Sequence, residues 1–195
     1  CRLIYSNAAS EQPVKYKDWT LEKALYEIDQ ALATDTLPLY YQTKGDLHLT
    51  LAQYPEAYTA FTHVNSSNIA TAATWLAAAQ ALQLMGDTTR TAEVVTLIDQ
   101  AVNTYAKPYP REAAPYLWRR ALALVADGRA RDAIKDYNEF HTLMGGQVSA
   151  AFYYQRALAA LEGRLNQIAV DDLQRAVEME PDNVDYLIEQ ASVCT

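Results

Sequence analysis

The chain has 195 residues, half of them hydrophobic, so it is long enough to bury a substantial core. Its net charge is −8 and its 16 Lys and Arg residues are scattered, whereas a protein that follows a nucleic-acid backbone needs clustered basic residues. The composition therefore excludes nucleic acid as the expected ligand.

The N-terminal residue, Cys1, has two interpretations. A cysteine here would carry the lipid of a bacterial lipoprotein after signal-peptide removal, which would place the protein in the periplasm or at a membrane. Alternatively, Cys1 is an internal residue of a longer chain, which leaves a cytoplasmic location open. Together with Cys194 it forms no disulfide framework for a chain of this length.

Helical periodicity continues along the chain, since apolar residues recur at i, i+3, i+4 and i+7 and no alternating strand pattern persists. We therefore predict an all-α protein. Turn signals separate the predicted helices at 52–55, 86–88, 127–129, 145–146, 163–164 and 181–183. The longest strongly apolar stretch, 74–85, is shorter than the roughly 20 residues that span a bilayer, so no transmembrane segment is expected.

One spacing of small and apolar residues recurs from Gly45 onward. A small residue is followed by a second one twelve positions later, then by an apolar residue four positions on and another three further. The matching sets are Gly45, Ala57, Phe61 and Val64; Ala121, Ala133, Tyr137 and Phe140; and Ala157, Ala169, Leu173 and Ala176. A repeat of two helical halves at this period predicts a solenoid, an architecture that usually binds other chains.

The segment 70–110 departs from this spacing. After Ala79 the second-helix residues come three positions late, at Val94, Ile98 and Ala101. We expect the extra residues in the turn at 86–91, because lengthening an exposed loop costs little. Two prolines within 107–110 should then end the helix and change the superhelical pitch.

With these spacings, essentially the whole chain resembles the tetratricopeptide repeat, a 34-residue helix-turn-helix unit. The family's bulky residue in the first helix is matched by Tyr41, Trp75, Leu117, Tyr153 and Leu187, and its small residue by Gly45, Ala79, Ala121, Ala157 and Ala191. The resemblance implies a right-handed α-solenoid of antiparallel helix pairs. The predicted segments are a partial repeat with an irregular lead-in at 1–38, repeats at 39–69, 70–110 (with the turn insertion), 111–147 and 148–182, and one further first helix at 183–195.

In that family, first-helix residues one and five positions after the bulky residue line a concave groove. The implied partner-binding residues are Gln42, Asp46, Leu76, Gln80, Trp118, Leu122, Tyr154 and Leu158, with Arg119 as the basic residue. The predicted groove is polar at its N-terminal side and apolar and aromatic at its C-terminal side, which implies a peptide or helix with hydrophobic side chains as ligand. The alternative is that these apolar residues are covered by further repeats or a second copy.

No catalytic, metal or cofactor site is expected. His48, His63 and His141 lie singly on different predicted helices, and paired carboxylates such as Asp171-Asp172 are expected on solvated faces. Gly-rich phosphate loops, nucleophile elbows and HExxH are absent from the sequence. The tripeptide 65–67 matches a glycosylation acceptor, but we interpret it as a turn.

The first hypothesis is a non-catalytic scaffold that binds a peptide or helix of another protein. The alternatives are a structural or assembly element of a bacterial cell-envelope complex, with Cys1 lipidated, and the regulatory region of a larger enzyme. The terminal segments 1–38 and 183–195 each supply one helix of a pair. We therefore expect a longer native chain, or self-association through these open ends.

Overall fold

The computed structural model describes residues 20–106 and 109–193, and every regular element in these ranges is helical. The α-helices are α1 (Leu21–Thr34), α2 (Pro38–Thr50), α3 (Tyr54–Asn65), α4 (Ala72–Leu84), α5 (Thr91–Ala106), α6 (Pro110–Ala126), α7 (Ala130–Leu143), α8 (Ala150–Glu162), α9 (Asn166–Met179) and α10 (Val184–Val193). The all-α prediction is confirmed. The predictions for Cys1, Cys194 and residues 107–108 concern positions outside the described residues. Across the described ranges, no helix is both long and apolar enough to cross a membrane.

Helix starts follow local sequence chemistry. Proline stands in the first turn of α2, α3 and α6, where its missing N–H costs nothing and its fixed φ suits a helix. Thr71 and Thr74 form a reciprocal capping box at the start of α4, and the Ser149 side chain accepts from the Phe152 N–H at the start of α8. These signals set the helix boundaries.

The chain forms two compact units, Cys1–Gly86 and Asp87–Thr195. In the first unit, α3 packs on both α2 and α4, and Ala57, Phe61 and Val64 of α3 are buried. A Cβ added to Gly45 of α2 would lie 2.8 Å from Phe61 Cζ, so the two helices approach closely enough to require glycine.

The second unit repeats this packing. Helix α6 packs on α5 and α7, and α9 packs on α8 and α10. Arg120 of α6 contacts Asp136 of α7, and Trp118, two residues earlier in α6, contacts Phe140, four residues later in α7. Helices α6 and α7 are therefore antiparallel. The predicted small and apolar core residues are all buried: Ala121, Ala133, Tyr137, Phe140, Ala157, Ala169, Leu173 and Ala176.

The turns that follow α2, α4, α6 and α8 share one backbone feature. Ala52, Gly86, Gly128 and Arg164 each lie seven positions after the small residue of the first helix and have φ of 56°, 72°, 72° and 58°. A left-handed residue ends a helix by redirecting the next N–H to an earlier carbonyl. In three of these turns the N–H after the left-handed residue is redirected in this way: Gln53 N–H donates to His48 O at 2.9 Å, Arg129 N–H to Leu124 O at 2.8 Å and Leu165 N–H to Ala160 O at 2.7 Å.

The late second helix in segment 70–110 is also observed. Helices α3, α7 and α9 begin nine positions after their small residue, whereas α5 begins twelve positions after Ala79. The three additional residues form a short 3₁₀ turn, Thr88–Arg90, which the Asp87 carboxylate caps by accepting from the Thr89 N–H at 3.0 Å. Val94, Ile98 and Ala101 are buried, as their shifted spacing predicts.

Two expectations are wrong. Asp172 was expected on a solvated face, but it is 2% exposed because its carboxylate is paired with Arg156. Leu187 was expected as the bulky core residue of α10, but it is 41% exposed, and Ala191 is exposed as well. The buried residue is instead Tyr186, whose ring contacts the ring of Tyr154 of α8.

Candidate partner-binding surface

Helices α6 and α8 carry the apolar half of the predicted groove. Trp118 and Leu122 are one helical turn apart on α6, and Tyr154 and Leu158 are one turn apart on α8, so each pair lies on one face of its helix. Leu122 is 42% exposed and Leu158 is 36% exposed, while both aromatic residues are half-buried. We call these four residues the apolar surface.

Trp118 joins α6 to its neighbours. Its indole Nε1–H donates to Gln155 Oε1 of α8 at 2.7 Å. The ring packs edge-to-face on Phe140 of α7, with centroids 5.1 Å apart, and on Phe152 of α8, at 5.7 Å. The hydrogen bond and the two ring contacts set the orientation of the indole while part of it stays accessible to solvent.

Tyr154 makes the corresponding connection from α8 to α10. Its ring lies 4.7 Å from the buried ring of Tyr186, at an interplanar angle of 37°. Burial raises the pKa of Tyr154, and the nearby carboxylates of Glu189 and Asp185 raise it further. The phenol is therefore neutral at physiological pH.

Helix α10 extends the apolar surface with residues that were not singled out from the sequence. Ile188 is 60% exposed, and Asp185 and Glu189 lie three residues before it and one after it. Ile188 follows Leu187 by one position, as Trp118 follows Leu117 and Tyr154 follows Tyr153. The one-position offset from the bulky residue could therefore have identified Ile188 from the sequence.

The other predicted groove residues are found on the first helices of the first unit. Gln42 is half-buried and Asp46 is exposed on α2, and Leu76 is half-buried and Gln80 is exposed on α4. Three of these four side chains are polar, and Leu76 is apolar.

Arg119 is exposed on α6, next to Trp118 in sequence. Adjacent residues of a helix do not share a face, so Arg119 lies to one side of the line through Trp118 and Leu122.

Buried Arg–Asp pairs orient the helices that carry the apolar surface. Arg120 of α6 donates from Nε and Nη2 to the Asp136 carboxylate of α7 at 2.7 and 2.8 Å, and its Nη1 also contacts Asp99 of α5. Arg156 of α8 repeats the arrangement with Asp172 of α9, and its Nη1 donates to Asn138 Oδ1 of α7 at 3.0 Å.

These pairs were missed from the sequence, although they leave a signal. Each arginine directly precedes the small residue of its first helix, and each aspartate follows its arginine by 16 positions. Because each arginine joins its own helix to the second helices on both sides, the pairs limit the relative movement of α6 and α8.

The histidines have individual structural contacts. His48 is buried and its Nδ1–H donates to Gln53 Oε1 at 2.7 Å, and His63 stacks on Tyr41 at 4.5 Å. His141 Nε2 lies 3.2 Å from Tyr153 Oη, and burial, with a contribution from Arg156, lowers the pKa of His141. Nowhere in 20–106 and 109–193 do three His, Cys, Asp or Glu side chains converge on a point that could hold a metal ion.

Asn65 lies in the last position of α3, and the turn begins after it at Ser66 and Ser67. Asn65 is half-buried, and its Nδ2 donates to the carbonyl of Thr74 in α4 at 3.4 Å. The amide that a glycosylation acceptor would present is therefore engaged within the fold.

No protein-family model and no curated protein matches this sequence. Similar solved structures include YrrB, a TPR protein with an unusual peptide-binding site, at a TM-score of 0.72 and 17% identity, covering 88% of this chain and 84% of that one. They also include MamA, at a TM-score of 0.66 and 16% identity, covering 83% of this chain and 89% of that one. A third is TTC0263, a TPR protein of Thermus thermophilus, at a TM-score of 0.54 and 14% identity, covering 89% of this chain and 90% of that one. The tetratricopeptide-repeat fold inferred from the residue spacing, a solenoid of helix pairs, is confirmed.

Proposed function

We propose that this chain is a non-catalytic protein-interaction scaffold, and that its apolar surface binds a peptide or helix of a partner protein. The observation that carries the proposal is the exposure of Leu122 and Leu158 beside two aromatic rings on successive first helices. Exposed apolar side chains grouped around Trp and Tyr are typical of the centres of protein interfaces.

The orientation of these rings supports binding rather than simple exposure. The Trp118 indole is hydrogen-bonded to Gln155, and the Tyr154 ring packs against the ring of Tyr186 at an angle of 37°. A partner that contacts either ring would immobilise few additional rotamers, so little binding energy would be spent on ordering.

The rigidity of the surrounding helices supports a scaffold in the same way. In the Arg120–Asp136 and Arg156–Asp172 pairs, each buried carboxylate is neutralised by an arginine of the neighbouring helix. Each arginine also contacts a third helix. The similar structure YrrB is described as having a peptide-binding site, which agrees with a peptide ligand for this chain.

The test is selection from a random peptide library, comparing the wild-type chain with Leu122→Ser/Leu158→Ser. A matched control, Met144→Ser/Met179→Ser, removes two exposed apolar side chains at the ends of the second helices α7 and α9, which are not among the four residues of the apolar surface. All three proteins are first checked for equal helicity and thermal stability.

We expect the wild-type chain and the control to enrich the same peptides. The Leu122→Ser/Leu158→Ser variant should bind those peptides at least about tenfold more weakly, since each leucine contributes on the order of 1 kcal/mol of apolar contact. Equal binding by that variant, or no peptide enriched by the wild-type chain, would overturn the proposal.

A further inference from the structure

The α10 side of the apolar surface combines an aromatic pair with negative charge. Tyr154 of α8 rests on the buried ring of Tyr186, with centroids 4.7 Å apart. Asp185 and Glu189 are one helical turn apart on α10, and both interact electrostatically with the Tyr154 phenol. Asp185 directly precedes Tyr186 and Glu189 follows it by three positions, so both carboxylates belong to the helix on which the half-buried Tyr154 ring rests.

No cation of residues 20–106 and 109–193 forms an ion pair with the carboxylates of Asp185 and Glu189. Among the described residues, the Glu189 carboxylate accepts one long hydrogen bond, of 3.4 Å, from the Ser192 hydroxyl. The Asp185 backbone N–H donates to Asn183 Oδ1, a contact that leaves the Asp185 carboxylate uninvolved. Asp185 is exposed and Glu189 is half-buried, and Ile188 between them in the sequence is exposed as well.

Aromatic rings and carboxylates together match the side chains of Lys and Arg. The charged head pairs with the carboxylates and lies over the face or edge of the ring, while the methylene stem covers apolar surface. The exposed side chains of Leu158 and Ile188 offer such a surface on α8 and α10. The net charge of −8 would further attract a basic segment and repel an acidic one.

We propose that the partner segment carries a Lys or Arg beside its apolar residues, and that this side chain is bound by Asp185 and Glu189 at the ring of Tyr154. This inference rests on the proposed function and specifies the chemistry of the partner. It predicts a basic, amphipathic ligand rather than one recognised through a carboxylate.

The experiment is the same library selection with Asp185→Asn/Glu189→Gln. The matched control is Glu139→Gln/Glu178→Gln, which removes two exposed carboxylates from the second helices α7 and α9. The most enriched wild-type peptide is then synthesised in two forms, as selected and with its basic residue replaced by Met, and binding is measured by fluorescence anisotropy at low and high salt.

We expect an excess of Lys and Arg in peptides enriched by the wild-type chain and by the control, and none in those enriched by Asp185→Asn/Glu189→Gln. Replacing the basic residue by Met should weaken binding to the wild-type chain about tenfold, with less loss at high salt, and leave binding to the variant unchanged.

Apolar peptides without basic excess, or a basic excess that persists in the Asp185→Asn/Glu189→Gln variant, would overturn this inference while leaving the proposed function intact. Enrichment of no peptide by the wild-type chain would overturn both.

Discussion

The Arg156 guanidinium donates two hydrogen bonds to the Asp172 carboxylate, from Nε to Oδ2 and from Nη2 to Oδ1, each 2.6 Å long. The pair is almost fully withdrawn from solvent, with side-chain exposures of 13% and 3%. It repeats the Arg120–Asp136 pair of the preceding repeat and joins the first helix α8 to its partner α9.

We predict that Arg156→Met is strongly destabilising. It leaves the Asp172 carboxylate buried without its cation, which costs about 3–5 kcal/mol in comparable sites. The Arg156→Met/Asp172→Leu double variant should recover most of this loss, because both charges are then absent. Urea unfolding followed by circular dichroism measures the change.

The exposed pair Arg129–Asp132 is the control for this prediction. Its side chains are 50% and 40% accessible, so Arg129→Met should change the unfolding free energy far less than Arg156→Met does. If Arg129→Met and Arg156→Met lowered the unfolding free energy by similar amounts, burial of the Arg156–Asp172 pair would not explain the loss.

Gly45→Ala is expected to destabilise the first unit by about 1–3 kcal/mol. The added Cβ would approach Phe61 Cζ to 2.8 Å, and the Phe61 ring is locked in the core and has little room to move. Thermal unfolding of the variant should show a lower midpoint.

The effect of Gly45→Ala is compared with its effect in a Phe61→Leu background, where the side chain facing Gly45 is smaller. In that background Gly45→Ala should be neutral or stabilising, because the clash is removed and alanine favours the helix by about 1 kcal/mol. If Gly45→Ala costs the same in both backgrounds, close approach to Phe61 is not the cause.

Arg164→Gly should stabilise the chain by about 0.5–1 kcal/mol. Arg164 has φ of 58°, a left-handed conformation that costs energy for any residue with a Cβ. Glycine already stands at the equivalent turn position 128, with φ of 72°. Gly128→Ala should therefore shift the unfolding midpoint in the opposite direction, and equal signs for the two substitutions would refute this explanation.

The stability of the fold should decline at alkaline pH because of Tyr137. Burial raises the pKa of Tyr137 to about 12 from the ordinary value of 10.0. When the pH rises above the pKa that Tyr137 has in the unfolded chain, the Tyr137 hydroxyl loses its proton in the unfolded chain but keeps it in the folded chain. The unfolding free energy should therefore fall by up to about 1.4 kcal/mol per pH unit between those two pKa values.

Tyr137→Phe isolates this contribution. The Tyr137 hydroxyl is buried and makes no hydrogen bond with the described residues, so its removal should be neutral or stabilising near neutral pH. The difference in unfolding free energy between wild type and Tyr137→Phe should widen from pH 10 to pH 12. A constant difference would show that Tyr137 does not titrate with a raised pKa.

Much of the fold was predictable because it depends on local periodicity. The spacing of Ala133, Tyr137 and Phe140 places them on one helix face, and all three are buried. The same reasoning located the late start of the second helix after Ala79, since an insertion shifts every following core position by the same number of residues.

The polar contacts were not predictable in this way. Asp171 and Asp172 are adjacent in sequence, yet Asp171 is exposed and Asp172 is buried against Arg156 of another helix. Likewise, the Trp118 indole is oriented by Gln155, 37 positions later in the chain.

The sequence by itself determined the helices and their small and apolar contact positions, because these follow from a 3.6-residue period that acts within each helix. The candidate surface residues were implied by the resemblance to the tetratricopeptide repeat. Only the tertiary structure decided which charges are buried together, which aromatic rings connect successive first helices, and that Tyr186 rather than Leu187 is the buried residue of α10. The physical reason is that a hydrogen bond or ring contact between distant residues depends on the distance and rotation between packed helices, which no single helix encodes.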